Sequence, residues 1–272
     1  MDVVLDTPLV STNWLMKHIN ATNLVILNTS MKAKEVKGET LLQYIPNSQY
    51  FDIKYKFSAM EAPFPNTIPS AAQFAIEAQK LGIHKNTAIV VYDDKGIYSC
   101  ARAYWLFKAF GHDNVAVLDG GLPQWLIENK PVINTYIKTL ETGNFESEYN
   151  SSYFKHFEDI QSLINIETCL ILDARSKARF NGTEKELRIG LRSGNIPNSK
   201  SLPYTNLFDG YTLKSRAEIN EIFNNLIVEQ EQLVFTCGSG ITACILALCA
   251  LHVNYKNLSV YDGSWTEYGS LT

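Results

Sequence analysis

Charge, long apolar runs and cysteine are all in short supply in this sequence, and each shortage excludes something. Charged residues make up 19% of the 272 positions, and no long block of one sign occurs. With a net charge of −4 and a pI near 5.8, no nucleic-acid partner is expected beyond what a local basic pocket could hold. The longest apolar segments fall short of the roughly 20 residues that a membrane helix needs, so no membrane partner is expected. The opening stretch MDVVLDTPLVSTNW has no basic region leading into an apolar one, so no signal peptide is expected. Cysteine occurs five times, at 100, 169, 237, 244 and 249. That odd, clustered set does not look like a disulfide framework. There is no C-x-x-C, and the five histidines (18, 84, 112, 156, 252) are scattered, so no metal site is expected. Unpaired thiols without an export signal favour a reducing, cytoplasmic setting.

What is present is a large apolar fraction, 46%, arranged twice over. NLVILNTS (23–30) matches CLILDARS (169–176), and IPNSQYFDI (45–53) matches IPNSKSLPY (196–204). AIVVYDDKGIYSCARAYWLFKAFG (88–111) matches QLVFTCGSGITACILALCALH (232–252), and VAVLDGGLPQW (115–125) matches LSVYDGSWTEY (258–268). The four matches keep their order at offsets of 143 to 151 residues. A period that long means tandem globular domains rather than a solenoid. The expected boundaries are 5–136 for the first copy, 137–151 for a polar linker and 152–272 for the second copy.

Within each copy, unbroken apolar runs such as LVIL, AIVVY and QLVFT read as strands buried on both faces, as in parallel sheets. Segments 70–82 and 215–227 read as helices with Ser70 and Ser215 as N-caps, and Gly82 as a C-terminal stop. The fold class is therefore α/β, each copy a mainly parallel sheet flanked by helices.

In such sheets ligands bind beyond the carboxyl ends of the strands. QLVFT ends at Cys237, and a helix follows. Gly238 and Gly240 let the loop turn sharply, and successive amides there can form an anion-holding nest at a helix N-terminus. Thiols in such a place ionise readily, so Cys237 is expected to be an exposed, nucleophilic thiolate. The other four cysteines read as buried core residues. Two uses of a cysteine loop are disfavoured. A phosphatase needs an arginine six residues on, where Ala243 stands. A thiol protease needs a histidine base, and His252 lies at the far end of the following helix.

The two-copy layout with a cysteine in the second loop alone resembles the rhodanese superfamily of sulfurtransferases. CGSGITA (237–243) is similar to the loop of its 3-mercaptopyruvate-using members, and DARSKARFNG and the terminal YDGSW fit the same family. The resemblance implies a tandem rhodanese-like fold and transfer of sulfane sulfur through a Cys237 persulfide, with no cofactor. The donor would be a small molecule, most readily 3-mercaptopyruvate, and the acceptor cyanide, a small thiol or thioredoxin. It also implies that Arg179 and Arg188 hold the donor carboxylate, and that Gly238, Gly240, Ile241 and Thr242 form the donor-binding loop. Ser239 would assist proton transfer or polarise the donor ketone. Arg175 is expected to be structural, and Arg192 to add positive potential or be exposed.

In the first copy Asp93 takes the place of Cys237 and cannot carry sulfur. One departure concerns the donor. Where some relatives place an aspartate and a histidine as a relay to the loop serine, this chain has Lys54 and Asn66, and neither can relay a proton. Thiosulfate as donor, or a persulfide carrier with little turnover of its own, are the alternative readings.

Overall fold

The structure is a computed structural model, and it describes residues 2–31, 42–138, 141–186 and 188–272. The chain divides into two compact units. One comprises residues 1–59, 69–149 and 210–213, and the other 60–68, 150–209 and 214–272. Residues 60–68, which lie within the first sequence copy, thus pack with the second unit.

The N-terminal unit holds strands β1 (Leu9–Val10), β2 (Leu24–Asn28), β3 (Ser48–Tyr50), β4 (Ala88–Tyr92) and β5 (Val115–Leu118). Their order across the sheet is β1-β5-β4-β2-β3, and every neighbouring pair is parallel. The C-terminal unit holds β6 (Phe154–Lys155), β7 (Cys169–Asp173), β8 (Lys200–Ser201), β9 (Gln232–Thr236) and β10 (Leu258–Tyr261). The order is β6-β10-β9-β7-β8, again all parallel. The two sheets thus share one topology, as the repeat predicts.

All five residues of β4 are buried, which explains why its sequence is apolar without alternation. Ile26, Val90, Tyr92 and Ala116 face one core, closed by Leu15 of α1 (Thr12–His18) and Trp125 of α4 (Gly121–Ile127). A second core on this unit is aromatic. Phe74 of α2 (Ala71–Lys80) stacks on Phe110 at 4.3 Å, just past α3 (Ser99–Ala109), and meets Phe107 edge-on at 5.2 Å. Phe51 and Phe57 stack at 3.7 Å beside them. Phe145, from the polar stretch after this unit's last strand and helix, enters the same cluster and is buried. In the C-terminal unit Ile160 of α5 (Phe157–Leu163), Ile171, Val234, Tyr261 and Trp265 form the matching core.

Local signals explain the helix ends. The Ser70 hydroxyl accepts from the Gln73 amide at 3.2 Å, and Ser215 and Glu218 form a reciprocal capping box on α7 (Arg216–Asn224). Gly82 follows α2 at φ +70°, a left-handed stop. Asn47 and Asn198 duplicate one another in detail. Both have φ near +60°, and each donates through its side chain at 2.9 Å to a carbonyl past a helix, Ile19 and Ile164 respectively. Among the described residues no helix is long and apolar enough to cross a membrane, and no cluster of His, Cys, Asp or Glu is suited to hold a metal.

Candidate active site

Strand β9 delivers Cys237 to the carboxyl end of the C-terminal sheet, and α8 (Ala243–His252) leaves the loop six residues later. The two loop glycines are needed for different reasons. Gly240 has φ +77°, a conformation that disfavours side chains. Gly238 has no such φ, but a Cβ there would stand 3.2 Å from Arg179 Nη2. The arginine therefore lies against the loop backbone next to Cys237.

The Cys237 main chain is fixed at both ends. Its amide donates to Ser264 Oγ at 3.2 Å, and its carbonyl accepts from the Trp265 amide at 3.0 Å. Ser264 Oγ also lies 4.0 Å from Cys237 Sγ, but its single hydrogen has a better acceptor in the Tyr261 carbonyl at 2.8 Å. Ser264 adopts φ +51°, an unusual conformation for a residue with a side chain. The amides of Gly238, Ser239, Ile241 and Thr242 have no acceptor among the described residues. An anion placed in the loop would meet amides with bonds to give, at the positive end of α8. Thr242 occupies the N-cap position of that helix without capping it through its hydroxyl.

The expected exposure of Cys237 needs correction: its relative exposure is 2%. Glycine neighbours make an open loop plausible, but the chain around Ser264 and Trp265 folds back over the cysteine. Cys100, Cys244 and Cys249 are buried, Cys169 is half-buried, and none of the five is in a disulfide.

Both expected arginines converge on Gly238. Arg188 Nη1 donates to Thr266 Oγ1 at 2.8 Å, and that hydroxyl donates to the Gly238 carbonyl. Arg179, on the short helix α6 (Lys177–Phe180), keeps 19% of its side chain exposed. Its Nη2 pairs with Glu186 Oε2 at 2.5 Å, while its Nε is buried with no partner among the described residues. Glu186 is the residue that sequence reasoning missed. In EKELR it reads as a solvated charge, yet its carboxylate is 1% exposed and bridges Arg179 and Arg175. The opposite sign between basic neighbours was the available signal. Arg175 is fully buried, pairing with Asp173 at 2.7 Å and Glu186 at 2.6 Å and stacking on Trp265. Arg192 lies on the same indole and bonds the Thr272 carbonyl and hydroxyl. It is committed to the helix α9 (Ser264–Leu271) and its C-cap, Thr272.

Of the two substituted relay positions, Asn66 reaches the loop. Its Nδ2 donates to Ser239 Oγ at 3.0 Å and to the Ser239 carbonyl at 3.1 Å. Lys54 belongs to the N-terminal unit, where it is exposed and lies over the Tyr55 ring.

The Rhodanese-like domain family matches this chain twice, over residues 11–128 and 156–271. The chain belongs to the rhodanese-like family. Among similar family members, the 3-mercaptopyruvate sulfurtransferase of Mus musculus is 35% identical, over 96% of this chain and 91% of its own. The thiosulfate sulfurtransferase of Rattus norvegicus is 34% identical, over 97% of this chain and 93% of its own. Among solved structures, SseA of Escherichia coli, a 3-mercaptopyruvate sulfotransferase with the rhodanese fold, superposes with a TM-score of 0.84. It is 30% identical and covers 95% of this chain and 99% of its own. The tandem rhodanese fold that the family resemblance implies is thus the fold of this chain, and its full-length relatives are sulfurtransferases.

Proposed function

We propose that this rhodanese-like chain transfers sulfane sulfur from 3-mercaptopyruvate, through a persulfide on Cys237, to a thiol or cyanide. The observation that carries the proposal is the loop itself. A cysteine stands among four amides that have no acceptor among the described residues, with two arginines gathered on the next residue.

In the first half-reaction the Cys237 thiolate attacks the donor sulfur. The sulfur–sulfur bond forms as the carbon–sulfur bond breaks. The bonding pair leaves as the enolate of pyruvate, which takes a proton to become pyruvate. In the second, an acceptor thiolate or cyanide attacks the outer sulfur, and Cys237 departs as a thiolate. Cys237 sulfur carries negative charge at the start of the first half-reaction and at the end of the second, and amides preorganised around it stabilise that charge without rearranging. Arg179 and Arg188 supply the charge that a donor carboxylate requires, Arg179 with a planar fork of donors.

The pairing of Arg179 with Glu186 tempers its positive charge, which suits a monoanionic carboxylate better than a dianion. Arg192, the cation that could have served thiosulfate, is engaged at Thr272. Both observations support mercaptopyruvate over thiosulfate as the donor. The acceptor fits a small thiol or a thioredoxin-type protein thiol, and five unpaired cysteines fit a reducing, cytoplasmic compartment.

The test is direct. Purified protein is incubated with 3-mercaptopyruvate and cyanide, and pyruvate and thiocyanate are measured. Wild type should produce both and carry one extra sulfur on the peptide spanning Cys237. Cys237→Ser should stay folded and lose transfer by at least about 1000-fold. Substantial transfer by that variant would remove Cys237 from the mechanism.

A further inference from the structure

We propose that Asn66 is a positioning residue that fixes the polarity of Ser239, holding the serine hydroxyl as a donor toward the ketone oxygen of the sulfur donor. The inference rests on the sulfurtransferase reading above.

Asn66 Nδ2 lies within hydrogen-bond distance of two atoms of Ser239, the carbonyl oxygen and Oγ. A carbonyl can only accept, so the side-chain nitrogen, not the oxygen, must face this residue. The same NH2 group therefore donates to Oγ. With one lone pair so occupied, Oγ keeps its single hydrogen for another partner, and it has no acceptor for it among the described residues. A donor without an acceptor, next to the cysteine loop, is suited to the oxygen on which charge appears as the enolate forms.

The contact is built, not incidental. Asn66 sits at φ +61°, a left-handed conformation that asparagine tolerates better than most residues. Two residues on, the Ile68 amide donates to Asp262 Oδ2 at 2.9 Å, and Thr67 Oγ1 donates to the Phe64 carbonyl at 2.8 Å. The Thr67 bond shapes the segment internally, and the Ile68 and Asn66 bonds tie residues 60–68 to the rest of the C-terminal unit. An amide side chain also does not titrate, so the direction of the bond is independent of pH. A carboxylate in its place would do the opposite, taking the serine hydrogen and turning the lone pairs outward.

The two half-reactions separate this role from a structural one. Loading of Cys237 from 3-mercaptopyruvate builds charge on a ketone oxygen. Discharge of the persulfide to cyanide involves no ketone. Single-turnover rates of both steps are measured on full-length wild type, Asn66→Asp and Asn66→Ala, following the Cys237 peptide by mass. Asn66→Asp should slow loading about 10–100-fold, below the 100–1000-fold typical of deleting an oxyanion-hole donor, and leave discharge within about 2-fold. Asn66→Ala should slow loading less, because the serine can still turn toward the ketone. Equal slowing of both steps would make Asn66 a structural support of the loop, and unchanged loading in Asn66→Asp would leave it no role. Either result overturns the proposal. Failure of the wild type itself to load Cys237 would instead refute the sulfurtransferase reading.

Discussion

At the end of β4, Asp93 fills its own loop. Its carboxylate accepts from the amides of Lys95 at 2.8 Å, Tyr98 at 2.8 Å and Cys100 at 3.1 Å. At the end of β9, in the second copy, Cys237 stands where Asp93 stands, and Ser239 and Thr242 stand where Lys95 and Tyr98 do. There the amides of Ser239 and Thr242 have no acceptor among the described residues, while that of Cys244 bonds the Ile241 carbonyl at 3.2 Å. The framing is otherwise shared. Leu122 donates to the Asp93 carbonyl as Trp265 does to that of Cys237, both at 3.0 Å. Cys100 and Cys244 both place Sγ near the carbonyl of the loop glycine. One copy closed its nest with a carboxyl group of its own. The other left it open, and we read that opening as the room a visiting charge requires.

The sharpest way to break this comparison is to make the second loop like the first. Cys237→Asp should abolish sulfur transfer, a loss of at least about 1000-fold, because a carboxylate cannot carry sulfane sulfur. Its stability should fall by no more than about 2 kcal/mol, since the new carboxyl finds two amides to accept from. The check is urea unfolding alongside the transfer assay. A variant destabilised by more than about 2 kcal/mol, roughly the cost of one buried unsatisfied polar group, would mean that the two loops are not equivalent.

How much of this was legible beforehand depended on range. The sheets were readable because their strands are buried on both faces, so AIVVY and QLVFT appear as plain apolar runs. The caps at Ser70 and Ser215 were readable because a cap is a bond across three residues. The Cys237 loop showed through its glycines, though its burial did not, because the cover comes from Ser264 and Trp265, 27 and 28 positions away. Asn66 reads in sequence as a residue that cannot relay a proton, and nothing local to it signals the bond to Ser239 across 173 positions. Glu186 was hidden for a different reason. A charged residue in a polar stretch looks solvated, and only the fold shows its carboxylate shared between Arg175 and Arg179.

The converse experiment empties the first loop. Asp93→Ala removes the buried acceptor of three amides, those of buried Cys100, half-buried Tyr98 and exposed Lys95. Each buried donor left unsatisfied costs about 1–3 kcal/mol, so a destabilisation of about 3 kcal/mol is expected. Amide hydrogen exchange along Ala88–Tyr92 would place the loss in the N-terminal unit. Unchanged protection there would show that the loop closes without its carboxylate.

The smallest effect decides which of two opposed influences governs Asp93. Burial pushes its carboxyl above the ordinary value of 3.8, while the amides of Cys100, Lys95 and Tyr98 pull it down, and burial prevails. The linkage then has a definite sign. A group held above its unfolded value contributes stability that is fully present below that value and lost as pH rises through the folded one. Asparagine copies the neutral carboxyl in shape and does not titrate. The stability difference between wild type and Asp93→Asn should therefore favour wild type most below pH 4 and shrink as pH rises toward 7, followed by urea midpoints at successive pH values. Growth of that difference with pH would mean that the amides outweigh burial. The nest would then be a stronger anion trap than its dryness suggests, and the case for a charged sulfur in the matching loop would gain accordingly.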